Sequence, residues 1–185
     1  MDLSVPRLHS QGVPGQDGVL VRGTLMRVLG VDPSVTATGL VLISTDEAWI
    51  STKVLHSPEL KGIVRLQYLA NSFDSFLEAH TPDMAVIEGY VRGSFSVITN
   101  VEIGILLRMK LHERYIPWYV CPPTVLKKWV AGSGRAQKSD MAVAVKDRWQ
   151  FVSPSDDVVD AYGLAKIAEL VATSGVSALK GIVRG

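Results

Sequence analysis

Cysteine is almost missing from this 185-residue chain, which has Cys121 alone. An internal disulfide is thereby excluded, and there is neither a CxxC pair nor a Cys/His cluster with zinc spacing. Cys121 closes the apolar run Trp118-Tyr-Val-Cys121, a setting for a buried small residue rather than a reactive thiol. Such cysteine usage fits a reducing, cytoplasmic compartment. Long apolar runs are missing too, since none approaches the roughly 20 residues needed to cross a bilayer. Nor does the sequence open with a secretory signal, because no positive stretch precedes an apolar segment. Net charge is close to absent at +1, so the whole-chain balance favours no class of partner.

What is present is the material of one globular domain. Hydrophobic residues make up 47% and charged residues 20%, ordinary proportions for a chain long enough to bury its own core. Charge is unevenly placed. Between Arg108 and Arg148 stand Arg108, Lys110, Arg114, Lys127, Lys128, Arg135, Lys138, Lys146 and Arg148, opposed only by Glu113, Asp140 and Asp147. That excess reads either as a phosphate-binding footprint or as a set of solvated helix faces.

Residues 1–25 stand apart, with Pro6, Pro14 and several glycines and no sustained period. They are expected as a disordered leader outside the fold. The folded unit is expected from Met26 to about residue 175, with a tail over 176–185. Within it, RVLGVD, ATGLVLIST and AWISTKVLH are three strand-like runs with short connections, which predicts an antiparallel meander. Leu60, Ile63, Leu66, Leu69, Phe73 and Phe76 then recur at helical steps through residues 58–80, ended by Thr81-Pro82-Asp83. Met84-Ala-Val-Ile87 is a short strand closing on Glu88. A helix follows over 96–114, and Trp118–Cys121 is a fifth strand. A short helix from Pro122 to Val130 is broken by Ala131-Gly-Ser-Gly134, and two more helices span about 138–149 and 154–173. The fold class is therefore α/β: a mixed five-stranded sheet, three antiparallel strands and then parallel ones, with helices on its faces.

The acids then stand out. Asp32 ends the first strand and Glu88 the fourth, so neighbouring strands would deliver both to one edge of the sheet. Ser153-Pro-Ser-Asp-Asp-Val-Val-Asp160 opens the last helix, and Asp157 and Asp160 share one face of it. Asp156, three after Ser153, reads as a capping partner. Each acid also has a bland reading: Asp32 as a turn residue, Glu88 as a strand-end charge, Asp157 as a partner of the helix dipole. Together, four converging carboxylates repel one another unless a cation sits among them. Oxygen ligands without His or Cys suit Mg²⁺ or Mn²⁺ and disfavour zinc. Two such ions, about 3.5–4 Å apart, can hold a phosphodiester between an attacking water and the leaving oxygen.

With these residues in place, the sequence resembles the RNase H-like nucleases, and more narrowly the RuvC family of Holliday junction resolvases. The matching pieces are GVDPSVTATGL, VIEGYV, PPTVLKKWVAGSGRAQKSDM and DDVVDAYGLAKIA, which spread over Met26 to about Thr173. The resemblance implies an RNase H-like sheet and two metal ions held by Asp32, Glu88, Asp157 and Asp160. It implies that Lys127 and Lys138 resemble the family's catalytic-site lysines, with a catalytic role for Lys138, and DNA contacts from Lys127, Lys128, Arg135, Lys138 and Tyr90. Gly132-Ser-Gly-Arg-Ala-Gln-Lys138 is similar to the family's Gly-rich loop before a helix, where amides and a lysine meet phosphate.

The departures are Ser34 where the family commonly has Gly, two valines between the last aspartates, and the leader. They suggest a divergent phage or mobile-element member. The implied activity is metal-dependent cleavage of branched DNA into 5′-phosphate and 3′-hydroxyl ends. A homodimer is implied because two symmetric incisions resolve a junction, and the helix over 96–114 is apolar on more than one face. The alternatives are the same fold acting on forks, flaps or RNA–DNA hybrids, a non-catalytic DNA-binding module, or an actin-like ATP-binding domain, whose first phosphate loop DPSVTATG resembles.

Overall fold

The computed structural model describes residues 25–34, 36–46, 49–57, 59–90 and 97–185; the expected leader lies, but for Leu25, outside them. Strands β1 (Arg27–Asp32), β2 (Ala37–Ser44) and β3 (Ile50–His56) form the expected antiparallel meander. Helix α1 (Gly62–His80) leads into β4 (Met84–Glu88), which pairs parallel to β1. Helix α2 (Val97–Glu113) then leads into β5 (Trp118–Cys121), parallel to β4. Three helices follow: α3 (Pro123–Ala131), α4 (Lys138–Trp149) and α5 (Asp156–Ser174). Short β6 (Val183–Arg184) closes the sheet antiparallel to β5, giving the order β3-β2-β1-β4-β5-β6.

The sheet thus has six strands where five were expected, and the segment read as a tail supplies the sixth. Two residues, both exposed, leave no alternation in the sequence from which a strand could be read. In the centre the opposite holds. β1 and β4 are covered on both faces, so Val28-Leu-Gly-Val31 and Met84-Ala-Val-Ile87 are buried throughout, as the central strands of a two-sided sheet require.

Two cores lie on the two faces. Leu29, Val31, Leu40, Leu42, Ala85 and Ile87 meet Leu69, Phe73 and Leu77 of α1 and Ile103, Leu107 and Leu111 of α2. Val28, Val41, Ile43 and Val86 meet α3, α4 and above all α5 on the other face. Each fully buried Leu or Phe in these layers contributes about 1.5–3 kcal/mol against exposure. α5 is buried over most of its circumference, from Val158 to Ala172, because it runs between the sheet and α3 and α4. Its approach depends on glycine. A Cβ on Gly30 would fall 2.0 Å from the Ala161 carbonyl oxygen, and one on Gly39 would fall 2.1 Å from that of Asp157. The backbone of α5 therefore rests directly on β1 and β2.

Candidate active site

Asp32 and Glu88 end adjacent parallel strands, one step beyond the paired residues Val31 and Ile87. Val31 and Ile87 belong to the core under α1 and α2. Strand alternation turns the next residues to the other face, toward α5. There the third element arrives. Gly39 pairs with Asp32 across the β1–β2 ladder, and the carbonyl of Asp157 occupies the space where a Cβ of Gly39 would stand. Asp160 follows on the same side of the helix. Three elements distant in sequence so bring four carboxyls to one end of the sheet.

Their electrostatics follow from crowding in a dry place. Asp32 is buried, and its carboxyl is raised well above the ordinary carboxylate range, by desolvation first and then by Glu88, Asp160 and Asp157. The contact between the two carboxyls acts in the same direction on Asp32 and in the opposite direction on Glu88. Glu88 is itself raised to about 7 by burial and Asp160, with Lys127 pulling the other way. Asp160 is raised to about 6 by burial, opposed by Lys127 and Lys138 and reinforced by Asp156 and Asp157. Every group that acts on Asp32 raises it. Among the described residues no three His, Cys, Asp or Glu side chains are already closed around one ion position. A buried oxygen-only donor set whose innermost member meets no base fits a hard divalent cation.

The basic segment separates into two groups. Arg108 donates from Nε to the Gly104 carbonyl at 2.8 Å and stacks over Tyr90, Lys110 pairs with Glu113, and Arg114 reaches Asp74 of α1 at 2.7 Å. Arg148 lies against the Trp129 and Trp149 rings and donates to the carbonyls of Trp129 and Val130, capping α3. Arg108, Arg114 and Arg148 are thereby tied into the fold, whereas the Lys110 pair is local to α2. Lys127 of α3 faces Glu88 and Asp160 electrostatically, and Lys138 opens α4 beside α5. Lys128 and Arg135 are exposed. Tyr90, half-buried just after Glu88, donates its hydroxyl to the Val101 carbonyl at 3.1 Å and packs on Gly104. Packing at a strand end is therefore its structural role.

Asp156 differs from its reading as a cap. The Ser153 hydroxyl accepts from the Ser155 amide at 3.1 Å, while the Asp156 carboxylate pairs with Lys138 at 3.2 Å. The break between α3 and α4 falls where the sequence places it. Gly132 ends α3 at φ 80°, and Gln137 and Asp140 form a reciprocal cap at the start of α4. Cys121 is fully buried, and desolvation with nearby Glu88 pushes its thiol up to about 12.

The family model for the crossover junction endodeoxyribonuclease RuvC matches residues 28–167. The chain belongs to the RuvC family. All four acids, Lys127 and Lys138 fall inside the matched stretch, and the actin-like alternative falls away. RuvC of Corynebacterium glutamicum is 29% identical over 150 residues, covering 76% of this chain and 67% of that one. RuvC of Dictyoglomus turgidum is 31% identical over 150 residues, covering 75% and 93%. Among solved structures, Thermus thermophilus RuvC in complex with a Holliday junction substrate superposes with a TM-score of 0.67 at 19% identity. That match covers 84% of this chain and 98% of the other, and it shows that the fold is shared. A crossover junction endodeoxyribonuclease is the class of enzyme to which this RuvC-family chain belongs. No helix among its described residues is long and apolar enough to cross a membrane.

Proposed function

We propose that the protein cuts four-way DNA junctions in a divalent-cation-dependent reaction, with Asp32, Glu88, Asp157 and Asp160 as cation ligands. The observation that carries this is Asp32, a buried carboxyl at the end of a core strand on which only other acids act. An uncompensated charge at that depth costs several kcal/mol, and a cation offsets the cost. The donor set suits Mg²⁺, with Mn²⁺ as a substitute. A pair of such ions, when bound, supplies an activated water and a counter-charge for the leaving 3′-oxygen, giving 5′-phosphate and 3′-hydroxyl ends.

The protein's own groups do the rest. Lys127 and Lys138 flank the acids from α3 and α4, where they stabilise charge developing on the phosphate. Lys128 and Arg135 follow the backbone of a DNA arm, which makes binding salt-dependent. Tyr90, fixed by α2 next to Glu88, is the aromatic contact at the junction centre. Ile105 and Met109, one turn apart and exposed on α2, form the seam of a two-fold homodimer that presents two acid sites to one junction. The enzyme acts on DNA in the cytoplasm, in recombination and repair.

The test is cleavage of labelled four-way junction, fork, flap, linear duplex and RNA–DNA hybrid in Mg²⁺, Mn²⁺ or chelator, beside Asp32→Asn. Paired nicks in the junction that need a cation and vanish in the variant are expected. Cutting in chelator, or an undiminished variant, overturns the cation reading. Preference for forks, flaps or hybrids overturns the substrate.

A further inference from the structure

We infer that Asp156 is a positioning residue: it holds the Lys138 ammonium at the rim of the acid cluster and keeps it from becoming the cluster's internal counter-ion. The inference rests on the reading of Asp32, Glu88, Asp157 and Asp160 as cation ligands.

Lys138 is the first residue of α4 and Asp156 the first of α5, and their Nζ and Oδ2 atoms stand 3.2 Å apart. Asp157 and Asp160 act on the same ammonium, though less strongly than Asp156. A lysine on a flexible four-carbon stem can choose among such partners. Asp156 is exposed, and the next strongest pulls on the ammonium come from Asp157 and Asp160, which are half-buried. Without Asp156 the ammonium therefore moves inward, onto the oxygens a divalent cation would use. A pair as exposed as Lys138–Asp156 adds little stability by itself, so a staple is a poor account of it. Asp156 also sits in the first turn of α5, where the helix dipole favours a carboxylate. The anchor is thus held from its own side.

Calorimetric titration of Mn²⁺ into DNA-free protein separates this from plain charge loss, using wild type, Asp156→Asn, Lys138→Gln and the double variant. Removing Asp156 is expected to weaken Mn²⁺ binding about tenfold when Lys138 is present and less than twofold when it is not. Asp156→Glu should keep the wild-type affinity. Equal losses in both backgrounds would mean that Asp156 acts only as a distant charge, and no loss would mean that it does nothing to the site; either result overturns the inference. A large fall in melting temperature with unchanged Mn²⁺ affinity marks a structural staple and overturns it as well. Wild type that binds no Mn²⁺ overturns the cation reading together with this one, whereas binding abolished by Asp32→Asn but uncoupled from Lys138 overturns this one alone.

Discussion

Gly39 faces Asp32 across the β1–β2 ladder, and the Asp157 carbonyl oxygen lies 2.1 Å from the point where a Gly39 Cβ would be. The distance between two carboxyls from opposite ends of the chain is set by a side chain that a third residue does not have.

One methyl group at position 39 therefore tests the site without touching an acid. Gly39→Ala must push the start of α5 off β2, since backbone atoms and not a flexible tip receive the clash. A loss of about 1–3 kcal/mol in a denaturant melt is expected. Junction cleavage under conditions where the variant is still folded should fall at least tenfold. Full activity in a folded Gly39→Ala protein would show that the placement of Asp157 is not critical.

Stability in the absence of cation should fall as pH rises. Glu88 and Asp160 are raised to about 7 and about 6 in the folded protein. The native state therefore keeps protons that the unfolded chain has already released. Stability is full below the ordinary carboxylate range and declines as pH passes through about 6 to 7. In chelator, the melting temperature should drop by several degrees between pH 5 and pH 8, and saturating Mg²⁺ should flatten the trend. Asp32→Asn should weaken the pH dependence, because the innermost ionisable group, which raises its neighbours and is raised by them, is gone. A melting temperature that climbs over this range would contradict the crowding of the acids.

Lys127 lowers both Glu88 and Asp160. Lys127→Gln should raise both further, so the carboxylates become available to a cation only at higher pH. Mn²⁺ affinity is expected to fall more at pH 6 than at pH 8, by a factor of about three to ten, when calorimetry is run at both. Unchanged Mn²⁺ affinity at both pH values would assign Lys127 to DNA contact alone.

The apolar seam on α2 predicts a separation of functions. Ile105 is 46% and Met109 50% exposed, so Ile105→Asp with Met109→Asp should leave the fold intact within about 1 kcal/mol. Sedimentation should show a monomer, and junctions should be nicked once instead of being cut on both sides. A dimer that survives the double substitution places the interface elsewhere.

The parts of the fold legible in the sequence are those with strong local periods. β1, β5 and α4 begin and end where the pattern of Arg27–Asp32, Trp118–Cys121 and Lys138–Trp149 predicts. α1 starts at Gly62, later than residue 58, because the chain first turns through Gly62 at φ 56°, and apolar spacing carries no sign of that. The four acids were legible as strand ends and a helical i, i+3 pair, two features written in neighbouring residues. The roles of Gly30 and Gly39 were not, since they depend on a helix that arrives far later in the chain. Asp156 was misread for the same reason: its partner Lys138 lies on another helix. Charge density between Arg108 and Arg148 likewise could not reveal that Arg108, Arg114 and Arg148 are spent on carbonyls and carboxylates within the fold.

Cys121 pairs with Glu88 in the β4–β5 register and is fully buried. A thiol held near a pKa of 12 is neither accessible nor ionised at neutral pH, and thiol reagents attack the ionised form. Modification must therefore wait until β5 parts from its cover. With one cysteine in the whole sequence, the rate of labelling becomes a clock for the opening of the scaffold that carries Glu88. Cation or DNA that locks the site should slow that clock, with no probe added to the protein.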